Sequence, residues 1–209
     1  MSAETVILVH GLWMTGYEMS LLTRRLAAAG YRVVQFRYRM VSRPLDFNLE
    51  RLAEFIETHT HDRCHIIGHS LGGVLALQVL QEFPDLPVDK VVCLGSPLVD
   101  TRAGRRFMRF ATGRAMLGRT LPEAIFEKPL GRWAGPQKVG VIAGTLALGL
   151  GRFVGSLPRP NDGMVGVSET CLPGIDDHLE IRLGHTGLIL SDVVAEQSMH
   201  FLRHSQFRH

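Results

Sequence analysis

The sequence holds little that would stabilise it from outside its own core. Its 209 residues include three cysteines, Cys64, Cys93 and Cys171, an odd number without zinc-like spacing. That argues against a disulfide framework and against a structural zinc site. All three read as small buried apolar residues in a reducing compartment. No apolar run is long enough to cross a bilayer. The longest, Val139 to Leu150, is interrupted by Gly140, Gly144 and Gly149 and falls short of the ~18 residues a spanning helix needs, so it reads as a strand and a loop. Met1 to Thr5 carries no basic segment leading into an apolar core and a small-residue cleavage site, so a cytoplasmic protein is expected. Charge of one sign is also scarce. A net charge of +3, without a nucleic-acid reader motif or an aromatic-interleaved basic stripe, points to no nucleic-acid partner. Tandem repeats and low-complexity tracts are absent.

What is present is a hydrophobic content of 45%, enough for one buried core, so residues 1–209 are expected to form a single domain. Apolar, β-branched runs alternate with amphipathic stretches. Strands are expected at Thr5 to His10, Tyr31 to Tyr38, Arg63 to Gly68, Asp89 to Gly95, Lys138 to Gly144 and Leu179 to Leu183. Helices are expected at Tyr17 to Gly30, Phe47 to Thr60, Ser70 to Phe83 and Leu188 to His204. About six strands alternating with helices predict an α/β fold: a compact, mostly parallel sheet covered on both faces, with ligands at the carboxyl ends of its strands.

One segment breaks the alternation. Thr101 to Gly135 carries eight cationic residues, from Arg102 to Arg132, against Glu123 and Glu127. Its apolar residues, including Phe107, Met116, Leu121 and Phe126, suit one or two short helices lying over the sheet end as a lid. Its arginines suit either a solvated face or peripheral contact with anionic lipid.

Gly68-His69-Ser70-Leu71-Gly72-Gly73 follows the strand ending at Ile67 and opens a helical run. This is the strand–turn–helix context of a G-x-S-x-G nucleophile elbow. A serine lifted above a sheet sits at a strained, usually positive φ, and the flanking glycines leave room where a Cβ would clash. The competing reading is a glycine-rich turn in which Ser70 merely caps the helix. His69 points away from the site if Ser70 points in.

A serine nucleophile needs a base, and the base needs an orienting carboxylate. His185, in Leu183-Gly184-His185-Thr186-Gly187, directly follows a strand. His178 precedes that strand, and His200, His204 and His209 fall in or after the last helix. Asp162, in Pro160-Asn161-Asp162-Gly163, lies beyond the fifth strand and before His185, although Asp-Gly is also an ordinary turn. Asp100, after Leu94-Gly95-Ser96-Pro97, is its rival. Asp176 and Asp177 stand at the amino end of the last strand and more naturally hold a turn. Oxyanion donors are expected from the N–H of Leu71 and from that of Leu12 in Val9-His10-Gly11-Leu12-Trp13, with His10 buttressing that loop.

Taken together, His10-Gly11-Leu12, Gly68-His69-Ser70-Leu71-Gly72, Asn161-Asp162-Gly163 and Gly184-His185-Thr186-Gly187-Leu188 resemble the small bacterial lipase and esterase branch of the α/β-hydrolase superfamily. The resemblance implies the α/β-hydrolase fold, Ser70 as nucleophile, Asp162 as acid, His185 as base, and Leu12 and Leu71 as oxyanion donors. It also implies hydrolysis of a small-molecule acyl ester with no metal or organic cofactor, and the apolar insertion and the loop Leu146-Ala147-Leu148-Gly149-Leu150 suit an apolar acyl chain. A thioesterase or lysophospholipase would use the same residues, and a non-catalytic binding protein on this fold is the contrasting reading. The basic Thr101 to Gly135 segment departs from a lidless lipase.

Overall fold

The computed structural model describes residues 3–60, 62–99, 101, 105, 117–148 and 157–209. Six strands are present: β1 Thr5–Val9, β2 Arg32–Phe36, β3 Cys64–His69, β4 Val88–Leu94, β5 Lys138–Gly144 and β6 Asp177–Ile181. They form one sheet in the order β2-β1-β3-β4-β5-β6, and every neighbouring pair is parallel. Four longer helices cover it: α1 Ser20–Ala28, α2 Leu45–His59, α3 Leu71–Glu82 and α4 Asp192–His204.

The sequence explains the layering. β1 and β3 are buried at every position, as strands covered on both faces must be. One apolar layer joins Ile7, Val9 and Ile66 to α2 and α3. The other joins Val6, Leu8 and Ile67 to α1 and α4. α3 is buried from Leu71 through Leu80, which is why its sequence is apolar on all sides rather than along one stripe. Each large side chain buried here contributes about 1.5–3 kcal/mol.

The chain passes outward from β1 to β2 and then crosses back to β3. The sheet therefore changes direction between β1 and β3, where loops leaving the two strands diverge and open a crevice.

Several boundaries differ from the sequence expectation. β6 begins at Asp177 and ends at Ile181 rather than running from Leu179 to Leu183. It is an edge strand, and its half-exposed polar start gives a weak hydrophobic signal. The last helix is preceded by a separate helical turn, Gly187–Leu190, because Ser191 restarts the helix as an N-cap, its hydroxyl accepting from the Val194 N–H.

Cys64 and Cys93 are buried, and burial pushes their thiols up to about 11 and about 12. Cys171 is exposed, correcting the expectation that all three cysteines lie in the core. Among the described residues no helix is long and apolar enough to cross a membrane.

The described stretch 117–135 is the crossover that carries the chain to β5. Leu117, Leu121, Ala124, Ile125, Leu130 and Trp133 join the layer of α2 and α3. Asn48 Nδ2 donates to Thr120 Oγ1 (2.8 Å), and Gln78 Nε2 donates to the carbonyls of Ala124 (2.7 Å) and Lys128 (2.8 Å). Burying these two amide nitrogens in an apolar layer is tolerable because each finds acceptors, whereas Gln78 Oε1 is buried without a partner. Residues 102–104 and 106–116, with most of the arginines expected over the sheet end, lie outside the described residues.

Candidate active site

Ser70 sits between β3 and α3 at φ 54°, ψ −124°, a conformation that L-residues avoid and that marks stored backbone strain. Its N–H donates to the Leu94 carbonyl (2.9 Å), and its own carbonyl accepts from the Gly73 N–H (3.1 Å). The glycines on either side are required sterically. A Cβ on Gly68 would stand 2.5 Å from the Gly72 carbonyl oxygen, and one on Gly72 would overlap the Val9 carbonyl oxygen. The helix-cap alternative for Ser70 fails, because its side chain makes no capping hydrogen bond.

The loop after β1 presses against the same turn. A Cβ on Gly11 would lie 2.9 Å from the Ser70 Cβ, so only glycine lets the loop come this close. The Met14 N–H turns back to the Gly11 carbonyl (3.3 Å), and the Trp13 N–H is directed to Met40 Sδ (3.2 Å). Leu12 lies between them. Leu71 opens α3, where the first N–H groups lack intrahelical acceptors. His10 buttresses the loop: it stacks on Tyr38 at 4.6 Å, and the Tyr38 hydroxyl donates to the His10 carbonyl (2.9 Å). Burial holds the His10 imidazole below its ordinary range.

Asp162 and His185 meet at the carboxyl edge of the sheet. His185 Nδ1 is 2.7 Å from Asp162 Oδ2, and the His185 N–H donates to the Asp162 carbonyl (2.9 Å). The other carboxylate oxygen accepts from the N–H groups of Met164 (2.9 Å) and Val165 (2.7 Å). Asp162 is 1% exposed. A buried carboxylate is tolerable only with such partners. Gly95 permits the meeting, since a Cβ there would stand 2.9 Å from Asp162 Oδ2 and 3.2 Å from His185 Nδ1. The Asp-Gly turn is real, Gly163 having φ 95°. It holds the carboxylate in place.

His69 departs from the expectation that it points away. Its ring packs at 4.7 Å from that of His185, and its Nε2–H donates to the His185 carbonyl (3.1 Å). Burial first, and then the nearby imidazoles, push His69 down to about 3, so it stays neutral at ordinary pH.

The structure thus brings Asp162 and His185 together and sets the His185 ring against the residue preceding Ser70, while Gly11 approaches both His69 and the Ser70 Cβ. It does not bring in His178, whose Nε2 lies 2.8 Å from Thr170 Oγ1. Asp176 is occupied at the amino end, bonded to Lys138 Nζ (2.7 Å) and the Val139 N–H (2.8 Å). Asp177 accepts from Phe207 N–H (2.7 Å). Asp100 lies outside the described residues. Sequence reasoning missed Tyr38 and Gly95 as supports of the site. The only sequence signal for Gly95 was a glycine directly after an apolar strand.

The profile of the alpha/beta hydrolase family matches residues 6–185. The chain belongs to that family. Against individual proteins, it is 26% identical over 113 residues to the putative carbamate hydrolase RutD of Pantoea ananatis, a match covering 50% of this chain and 41% of that protein. The chain therefore spans about two-fifths of this relative. Among solved structures it resembles the mature Bacillus licheniformis lipase BlEst2, with a TM-score of 0.74 at 14% identity over 98% of this chain and 92% of that one. The pyrethroid hydrolase PytH gives a TM-score of 0.70 at 15% identity over 97% and 98% of the two chains. The metagenomic carboxyl esterase MGS0156 gives 0.65 at 16% identity, over 88% of this chain and 65% of that one. At such identities these likenesses establish the fold.

Proposed function

We propose that this member of the alpha/beta hydrolase family is a serine hydrolase that cleaves acyl esters through Ser70, His185 and Asp162. The observation that carries the reading is the part-buried Asp162–His185 hydrogen bond (2.7 Å), its imidazole packed against His69, the residue before a serine at φ 54°. A hydrogen bond from Nδ1–H to Asp162 leaves Nε2 as the basic nitrogen.

In this reading His185 Nε2 takes the Ser70 proton as Oγ attacks the acyl carbonyl. Asp162 stabilises the imidazolium without taking the proton, and the N–H groups of Leu12 and Leu71 stabilise the oxyanion. Collapse of the tetrahedral intermediate expels the alcohol, which leaves with the proton from Nε2. Water, deprotonated by the same nitrogen, then releases the acid and restores Ser70. A thioester would follow the same steps with a thiol leaving.

An apolar acyl chain suits the surroundings. Leu148 is 59% exposed, and its Cβ lies 3.3 Å from where a Gly184 side chain would begin, next to His185.

The test is turnover of p-nitrophenyl esters of graded chain length by the wild type and by Ser70→Ala. The reading expects turnover by the wild type and its loss in the variant. Undiminished turnover by the variant overturns it, and an inactive wild type favours a binding protein on the same fold.

A further inference from the structure

A second feature lies on the carboxyl side of the sheet, two strands from Ser70. Where β2 ends, the chain Phe36-Arg37-Tyr38-Arg39 and the start of α2 border an open groove of about 180 Å³, whose lining includes Arg37, Arg39, Arg43, Arg51, Phe47 and Asn48. Arg51 is paired with Glu54, which leaves Arg37, Arg39 and Arg43 as the lining cations whose like charges an anion would relieve.

The carboxylates nearby do not fill that role. Among the described residues Arg37, Arg39 and Arg43 form no ion pair with a carboxylate. Glu54 takes Arg51 (2.8 Å), Asp46 takes Lys128 (2.6 Å), and Glu18 accepts from the N–H groups of Thr15 and Gly16 (both 3.1 Å). Two of the arginines are instead held in place by rings: Arg37 lies 4.5 Å over Tyr17 and Arg43 lies 4.9 Å over Phe47. Such stacking keeps a guanidinium oriented while leaving its N–H groups free for oxygen acceptors.

The groove is tied to the candidate site by sheet register. Phe36, Val9 and Gly68 lie in one row across β2, β1 and β3. Arg37 is one residue past that row and Ser70 two, so their backbones are separated by two strand spacings, about 10 Å. Between them lies Tyr38, whose hydroxyl bonds the His10 carbonyl next to Gly11. A phosphate carried on a short polyol spans that interval together with an arginine side chain. Trp13, whose N–H is directed to Met40 Sδ, and Val41 are exposed next to this stretch of chain and offer apolar contact to the rest of such a molecule.

We propose that the groove formed by Arg37, Arg39 and Arg43 holds the phosphate of a phosphate-bearing acyl ester whose carbonyl lies at Ser70. This rests on the reading of Ser70 as nucleophile and extends it to the substrate's head group.

The test uses the Ser70→Ala protein, so that binding is measured without turnover, with 1-oleoylglycerol 3-phosphate and 1-oleoylglycerol as probes below their aggregation limits. The phosphate ester binds at least tenfold tighter, about 1.4 kcal/mol. Adding Arg37→Gln and Arg43→Gln together brings the two affinities within about twofold, and adding Arg63→Gln, at the amino end of β3, leaves the preference in place. Equal affinity for the two probes, or a preference that survives the paired substitution, overturns the proposal. A third arm uses phosphatidylcholine vesicles with and without phosphatidic acid. If the arginine pair governs vesicle binding while the soluble probes bind alike, the groove is a membrane contact and the substrate proposal fails. Turnover of neutral p-nitrophenyl esters by the wild type scores the hydrolase reading separately. Loss of that activity leaves the binding result standing, and loss of phosphate preference leaves the hydrolase reading intact.

Discussion

His69 donates from Nε2 to the backbone carbonyl of His185, 3.1 Å away, so the residue that precedes Ser70 also holds the loop that carries the candidate base. That bond by itself favours the charged ring, but burial outweighs it and holds the imidazole neutral, which makes the fold sensitive to acid. Folded His69 resists protonation down to about pH 3, whereas in the unfolded chain it protonates near pH 6.5. Between those values the unfolded state binds more protons. The stability associated with neutral His69 is therefore full above pH 6.5 and falls as the pH drops, by up to about 1.4 kcal/mol per pH unit. Burial lowers His10 and His178 in the same direction. Urea unfolding at pH 7 and pH 5 is expected to show a loss of about 2 kcal/mol from His69 alone, with a shallower decline in His69→Asn. An equal decline in both proteins contradicts this account of His69.

Replacing Asp162 with Asn keeps the shape of the side chain and its acceptance of the Met164 and Val165 N–H groups, but removes the charge facing His185 Nδ1. Turnover at near-neutral pH is expected to fall by about 10⁴, as it does for the corresponding change in serine proteases. Asp100→Asn serves as the comparison, and a larger loss there would move the acid to Asp100.

Gly72 and Gly187 separate packing from function. A methyl group at Gly72 runs into backbone of β1, whereas at Gly187 its nearest neighbour is 3.6 Å away. Gly72→Ala is expected to lose about 1–3 kcal/mol or more from overpacking, lowering Tm by several degrees, with Gly187→Ala close to wild type. Similar melting of the two variants in calorimetry would refute the close packing at the elbow.

The sheet was legible because β1, β3, β4 and β5 are largely buried and rich in β-branched residues. The elbow was legible because its glycines answer a steric need that shows in the sequence as a fixed spacing. The role of His69 was not legible: the contact joins residues 116 positions apart, and local pattern says nothing of where a distant loop returns. The same applies to Gln78 and Asn48, which anchor the crossover. A glutamine inside the otherwise apolar run Val74 to Leu80 was the one available hint. The arginine groove escaped notice because its members are split between a strand end and a helix.

The most direct test of the central claim is covalent labelling by a fluorophosphonate, followed by peptide mass spectrometry. The account predicts one phosphonate per chain on the peptide containing Ser70, blocked by prior denaturation and absent in Ser70→Ala. An unlabelled folded wild type, or an adduct on any other residue, would contradict it.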